Sequence, residues 1–312
     1  MTHRLALVTV AATLVVLVFG GLVTNTGAAL AVPDWPTTFG YNMFLYPWAQ
    51  MVGGVFYEHS HRLLGSVVGL LTLALAAALW RTGGRVRWLG LAAVVAVVVQ
   101  GVLGGLRVLL LEDALAIVHG CVAQAFFALL ATLALLTSPR AQDPGRRVEP
   151  STRKLAVVAA ALVYLQIVLG ALLTHAGWID LHLVGAAAVF TVVPMVTARV
   201  RRSGDPVAAP IARALIVLVV AQLVLGAGSY LARFSGVWIP GEQLTVLALP
   251  VAHRAVAALI LAASVVLAVR LALAAESREG QPEEHLGVNG RTHPAPMAGP
   301  PRLEPASRTP RP

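Results

Sequence analysis

Eight apolar runs dominate this chain, near residues 5–23, 58–80, 86–107, 114–137, 153–174, 180–198, 211–231 and 245–273. Each comes close to or exceeds the roughly 20 residues that a helix needs to cross a bilayer. Inside hydrocarbon, every backbone N–H and C=O must be satisfied within the segment itself, so runs of this length read as helices. Only 12% of the residues are charged, against about 25% in an ordinary soluble domain. That excludes a soluble cytosolic enzyme, and the recurring apolar runs exclude a disordered chain. The expected fold is an all-α polytopic membrane protein with eight transmembrane helices.

Basic residues set the expected orientation. Of 23 lysines and arginines, all but Arg62, Arg107, Arg233 and Arg254 fall in one set of ends and connections, among them Arg4, Arg81, Arg85, Arg87, Arg153, Lys154, Arg201 and Arg202. The positive-inside rule then puts both termini in the cytoplasm, which an even number of spans also requires. The net charge of +9 is thereby assigned to topology, and no nucleic-acid partner is expected. Trp80 and Trp88 flank an inner turn, and Trp35, Trp48, Trp178 and Trp238 lie in outer connections, as in an interfacial belt. The first run is longer than the apolar part of a cleaved leader and reads as a retained helix. A single cysteine, Cys121, permits no intramolecular disulfide.

One pattern repeats. Gln100-Gly-Val-Leu-Gly104, Gln166-Ile-Val-Leu-Gly170 and Gln222-Leu-Val-Leu-Gly226 stand at matching places in the third, fifth and seventh runs. The first run ends Gly20-Gly-Leu-Val-Thr-Asn-Thr-Gly27, like Gly170-Ala-Leu-Leu-Thr-His-Ala-Gly177 in the fifth. Two pseudo-symmetric four-helix bundles are expected, 1–138 and 153–274, joined by a polar linker at 139–152 and followed by a Pro-rich tail, 275–312, without the composition to fold. The glycines, with Gly65 and Gly69, are expected either to let helices approach closely or to pack around a flat ligand.

Four of the nine histidines, His61, His119, His182 and His253, lie in the first turns of the second, fourth, sixth and eighth runs. Those runs share a direction, so the four imidazoles share a depth near the outer surface. Ionisable groups within spans are costly and usually mark function. Two histidines per half is the number that two axial bonds to one haem iron require, while a zinc site would need three or four ligands converging on one point. Arg62 and Arg254 follow His61 and His253 directly and suit a carboxylate such as a haem propionate, or else extend to the interface. Glu58 stands one turn before His61, where a carboxylate can handle a proton or stabilise positive charge. The second half has Ile179 and Pro250 at the corresponding places.

With these residues in view, the chain resembles the haem A synthase family over about residues 5–270. The likeness rests on Glu58-His-Ser-His61-Arg62, on His119-Gly-Cys-Val-Ala-Gln124, on His182-Leu-Val-Gly, on His253-Arg254 and on Pro33-Asp34-Trp35-Pro36. The resemblance implies a plasma-membrane enzyme that oxidises a methyl group of haem O to the formyl group of haem A by successive hydroxylations, for terminal oxidases. It implies that His61 and His119 hold the substrate haem, with Glu58 assisting at the methyl group. It implies that His182 and His253 ligate a haem b that relays electrons from a donor the sequence does not identify. A haem O synthase or a terminal oxidase is the partner such an enzyme would have. Two features depart from the family pattern: no cysteine pair occupies an outer loop, and Thr24-Asn25-Thr26-Gly27 stands where an arginine is expected. The connection before His182 is also short. A di-haem b-type cytochrome for electron transfer, and a haem carrier without chemistry, use the same four histidines and are the alternatives.

Overall fold

The computed structural model describes residues 1–143, 145–146, 148–235 and 241–279. Eight long helices account for most of them: α1 (Thr2–Asn25), α2 (Gly54–Thr82), α3 (Gly84–Leu110), α4 (Asp113–Leu136), α5 (Pro150–Ala176), α6 (Ile179–Ser203), α7 (Ala208–Phe234) and α8 (Glu242–Glu279). Among the described residues these eight are long and apolar enough to cross a membrane. Each extends beyond its apolar run at one end or both, because a helix continues through polar residues that hydropathy alone does not mark. The largest difference is α8, which runs to Glu279, into the segment read as unfolded. Ala275, Glu276 and Glu279 there favour helix, and Glu276 pairs with Arg85 at 3.1 Å. The remainder of that segment, like Trp238, lies outside the described residues.

Helix ends follow local chemistry. Pro150 opens α5, where its missing N–H costs no bond. Gly177 ends α5 at φ 73°, a left-handed conformation that suits glycine, and α6 begins two residues later. This is how the short connection before His182 is made.

Within each set of four helices, neighbours in sequence pack together and the first closes on the fourth: α1 on α4, and α5 on α8. The even helices therefore stand diagonally across each ring. The rings meet through α1, α4, α5 and α8, where Phe127 is buried against Ala258 and Ala262. One apolar core joins Ala6, Val68, Leu75, Leu79, Phe126 and Leu130, and a second joins Val163, Val193, Val200, Leu215 and Leu267. Both lie toward the end of the bundle away from the four histidines. Outward faces carry exposed Leu70, Val95, Val184 and Val217, the surface that a helix presents to lipid.

At the end opposite the histidines, Arg270 and Asp205 form an ion pair of 3.2 Å with side chains 1% and 0% exposed. The Arg270 guanidinium also donates to the carbonyls of Ala141 and Asp143. Asp205 accepts from the backbone N–H groups of Arg146, Val207 and Ala208. Burial alone would raise the Asp205 carboxyl. The N–H groups of Ala208 and Arg146, the Arg270 guanidinium and the Val207 N–H outweigh it and hold the group below its usual range. The linker between the two rings is thus fastened to α8 and to the α6–α7 turn.

Candidate functional site

The structure brings the four histidines together as two pairs. His61 on α2 faces His119 on α4 across the first ring, with ring centroids 6.4 Å apart. His182 on α6 faces His253 on α8 across the second, also at 6.4 Å. Two imidazoles bound to one iron from opposite sides would have centroids about 6 Å apart, from metal–nitrogen distances of about 2 Å and about 1 Å from nitrogen to ring centre. Nδ1 of His61, His119 and His253 is buried, turned toward the backbone of the preceding odd helix at Val16, Gln100 and Gln222.

Each imidazole lies against a glycine of the preceding odd helix. A Cβ at Gly20 would come within 3.1 Å of His61, at Gly104 within 3.4 Å of His119, at Gly170 within 3.2 Å of His182 and at Gly226 within 3.0 Å of His253. These glycines let each odd helix approach the imidazole of the next helix closely. Gly65 and Gly69 correct the close-approach reading: nothing lies within 4 Å of a Cβ at either position, so no neighbouring helix is drawn in there. Gly65 follows His61 by one turn on the same face, leaving space beside the first pair, where the second pair has Ala186 and Ala257 at the same offset.

The repeated glutamines lie one turn before those glycines. Gln100 Nε2 donates to the His119 carbonyl at 3.2 Å, and Gln166 Nε2 donates to that of His182 at 2.9 Å. Gln166 Nε2 also lies 3.1 Å from His182 Nδ1, and Gln222 Nε2 lies 3.2 Å from His253 Nε2.

Glu58 and Arg62 point to the segment after α1. Arg62 donates to Glu58 Oε1 at 2.8 Å and to the carbonyls of Val32, Asp34 and Thr37, while Glu58 Oε2 accepts from the Val32 N–H at 2.9 Å. The four protein acceptors account for the charge that sequence reasoning set against a propionate. His59 is buried as well: Thr38 Oγ1 lies 3.1 Å from its Nδ1, and the Tyr46 ring lies tilted against it with centroids 5.2 Å apart. Asp34 accepts from the N–H groups of Phe39 and Gly40 and from the Thr37 hydroxyl. Burial opposes its ionisation, yet these bonds, with Gly40 foremost, hold its carboxyl below the usual range. Trp35 lies so close over Gly105 that no side chain would fit there, so this tryptophan spans to α3 and is more than a belt residue. The segment is fastened over the first ring by α2 on one side and α3 on the other.

Sequence reasoning passed over two residues. Arg107 lies seven residues after Gln100 on α3 and close enough to both His61 and His119 to act on them electrostatically. The spacing Gln100-x-x-x-Gly104-x-x-Arg107 on an end poor in arginine was the available signal. Asn25, where an arginine was expected, accepts from Arg233 of α7 at 2.9 Å and donates to the carbonyls of Val246 and Leu247. Pro250 cannot donate to the Val246 carbonyl within α8, so Asn25 supplies that missing bond one turn before His253. Arg254 donates to the Thr174 hydroxyl at 3.3 Å.

Fold and site together define a polytopic α-helical membrane protein with an interior histidine pair in each of two four-helix rings. Residues 46–180 match the family of cytochrome oxidase assembly proteins, a span that holds Glu58, His61, Arg62, Arg107 and His119 and stops short of His182. Over 184 residues the chain is 32% identical to a heme A synthase of Shouchella clausii (strain KSM-K16), covering 55% of this chain and 58% of that protein. The chain is thus similar to both over part of its length, and spans less than two thirds of that relative.

Proposed function

We propose that the chain oxidises the methyl group of haem O toward the formyl group of haem A in cytochrome oxidase assembly. The carrying observation is the pair of facing imidazoles in each ring, both at 6.4 Å, combined with the family match over the first pair. Each hydroxylation is a two-electron oxidation that replaces one C–H by C–OH and draws its oxidant from outside the chain, either dioxygen with two electrons and two protons or water with a two-electron acceptor; the second gives a geminal diol that loses water to the aldehyde.

His61 and His119 are proposed to hold the substrate. Supporting this are the space at Gly65 and the restriction of Glu58 to the first ring. His182 and His253 would hold a resident haem b, a reading that the 6.4 Å separation of their rings supports. Bound there, haem b would supply one-electron transfer to the first ring. Arg107 and Arg254 are the cations placed to meet propionates. Glu58, with two oxygens and only two bonds, keeps lone pairs available to stabilise positive charge while it stays paired with Arg62. The fastened segment 32–40 keeps water from the outer mouth of the ring. The plasma membrane, with the histidines toward its outer face, is the proposed location.

The test is expression beside a haem O supply, followed by chromatography and mass spectrometry of the extracted haems. Haem A or its hydroxylated precursor is expected, and Glu58→Gln should reduce it. Unaltered haem O with a reductant present would favour a di-haem cytochrome or a carrier and overturn the enzyme reading.

A further inference from the structure

From Trp35 to Tyr57, across the connection from α1 into α2, 23 consecutive residues carry no charge, and they hold eight of the chain's 19 Phe, Tyr and Trp residues. These side chains divide into two sets. Trp35 lies over Gly105 of α3, Tyr46 and Met51 are buried, and the Tyr46 ring meets those of Phe39, Tyr41 and His59. Phe44, Leu45, Trp48 and Val52 are turned outward, each at least 66% exposed. The backbone that presents them is held in place. Thr38 and Tyr41 exchange hydrogen bonds of 3.1 and 3.0 Å, and 3-10 turns form at Met43–Leu45, capped by the Asn42 side chain, and at Trp48–Gln50.

An exposed apolar patch of this kind marks a surface that meets something other than water. Val52 stands two residues before α2, and Phe56 in the first turn of α2 is exposed as well. Val67 and Leu70 follow Phe56 by about three and four turns, which puts all three on one face of the helix, and both are exposed. The patch is therefore continuous with the face that α2 turns to lipid. Protein interfaces are ringed by polar groups; with no charge in the run to ring this patch, a lipid surface fits it better. We propose that residues 41–56 lie in the plane of the membrane as an interfacial anchor, with Phe44, Leu45, Trp48 and Val52 sunk into the leaflet at the histidine end. Tryptophan and tyrosine suit that level, and an apolar face of this sort sinks about 5–10 Å into the headgroup and acyl boundary. The anchor continues directly from segment 32–40, so the cover of the first ring is held by lipid as well as by α2 and α3. The proposal depends neither on haem nor on the reaction.

The test uses the full chain in nanodiscs of phosphatidylcholine and phosphatidylglycerol. Leu45→Cys and Trp48→Cys, each combined with Cys121→Ala, are labelled with a polarity-sensitive fluorophore. Val95→Cys, at an exposed apolar position of α3, and Arg85→Cys, at an exposed inner turn, in the same background give the lipid and water references. Both test labels are expected to emit at shorter wavelength than the Arg85→Cys label, to be quenched by lipid carrying a nitroxide near its headgroup, and to resist iodide. Iodide quenching equal to that of the Arg85→Cys label, without quenching by nitroxide lipid, would overturn the proposal. So would resistance to both quenchers, the result expected if protein covers the patch. Trp48→Phe gives a reading that needs neither label nor Cys121→Ala: the part of the native tryptophan emission that this variant loses should be quenched by nitroxide lipid, and its indifference to that lipid would also overturn the proposal.

Discussion

Glu58→Ala deletes the acceptor of the Val32 N–H and of the Arg62 guanidinium, bonds of 2.9 and 2.8 Å at a residue 5% exposed. Removing one partner of a buried ion pair costs about 3–5 kcal/mol. Arg62 keeps the carbonyls of Val32, Asp34 and Thr37, which places the loss near the lower figure. The cost falls on the attachment of segment 32–40 and leaves the two helix cores untouched. At about 1.4 kcal/mol per decade, a loss of about 3 kcal/mol multiplies local opening by about 100. Hydrogen–deuterium exchange of a peptide covering Val32–Gly40, in detergent, reads this directly. Glu58→Gln keeps an oxygen to accept one bond and should raise exchange about tenfold at most. Product formation by Glu58→Gln then separates fastening from chemistry: a closed segment with lost activity assigns the carboxylate to the reaction. Exchange in Glu58→Ala within a factor of three of the native protein would refute the clamp.

Further outcomes follow from the same contacts. Arg270→Met leaves Asp205 buried without its cation and should destabilise the fold by about 3–5 kcal/mol, read by thermal unfolding in detergent; adding Asp205→Asn should recover part of the loss. The Asp205 carboxyl is depressed in the folded state, so its stabilisation is complete above the usual aspartate range and fades as pH falls through the lower folded value. A pH series of melting temperatures should show that acid loss in native protein and not in the double variant. Gly226→Ala, with its Cβ 3.0 Å from His253, should displace the ring and lower haem content of the second ring, seen by absorbance. Asn25→Ala frees the carbonyls of Val246 and Leu247 and should cost about 1–2 kcal/mol, with faster exchange in α8 around Pro250.

Much of this was legible in the chain. Eight apolar runs gave eight helices, since in lipid the backbone has no other means of satisfying itself. The placement of His61, His119, His182 and His253 one to each even helix, two to each half, foretold which rings would face each other. The glutamine–glycine repeat was visible, but its contact with imidazoles was not, because a sequence does not say which faces of two helices meet. Gly65 and Gly69 misled for that reason: small residues permit close approach without requiring it. Arg62 was read by its neighbour His61, whereas its partners are carbonyls some 25–30 residues earlier, set by how the segment after α1 folds back. The Asp205–Arg270 pair joins residues 65 apart and has no local signature. Asn25 was legible only as a missing arginine; its role depends on the carbonyl that Pro250 leaves free in another helix.

The central claim is that each facing imidazole pair holds one haem. The direct measurement is haem per chain together with the absorbance spectrum of purified protein, for the native chain and for His119→Ala and His253→Ala. Two haems per chain with bis-imidazole character, one lost in each variant and the other retained, is the expected result. A single haem lost equally in both variants, or a full complement retained in either, would contradict it.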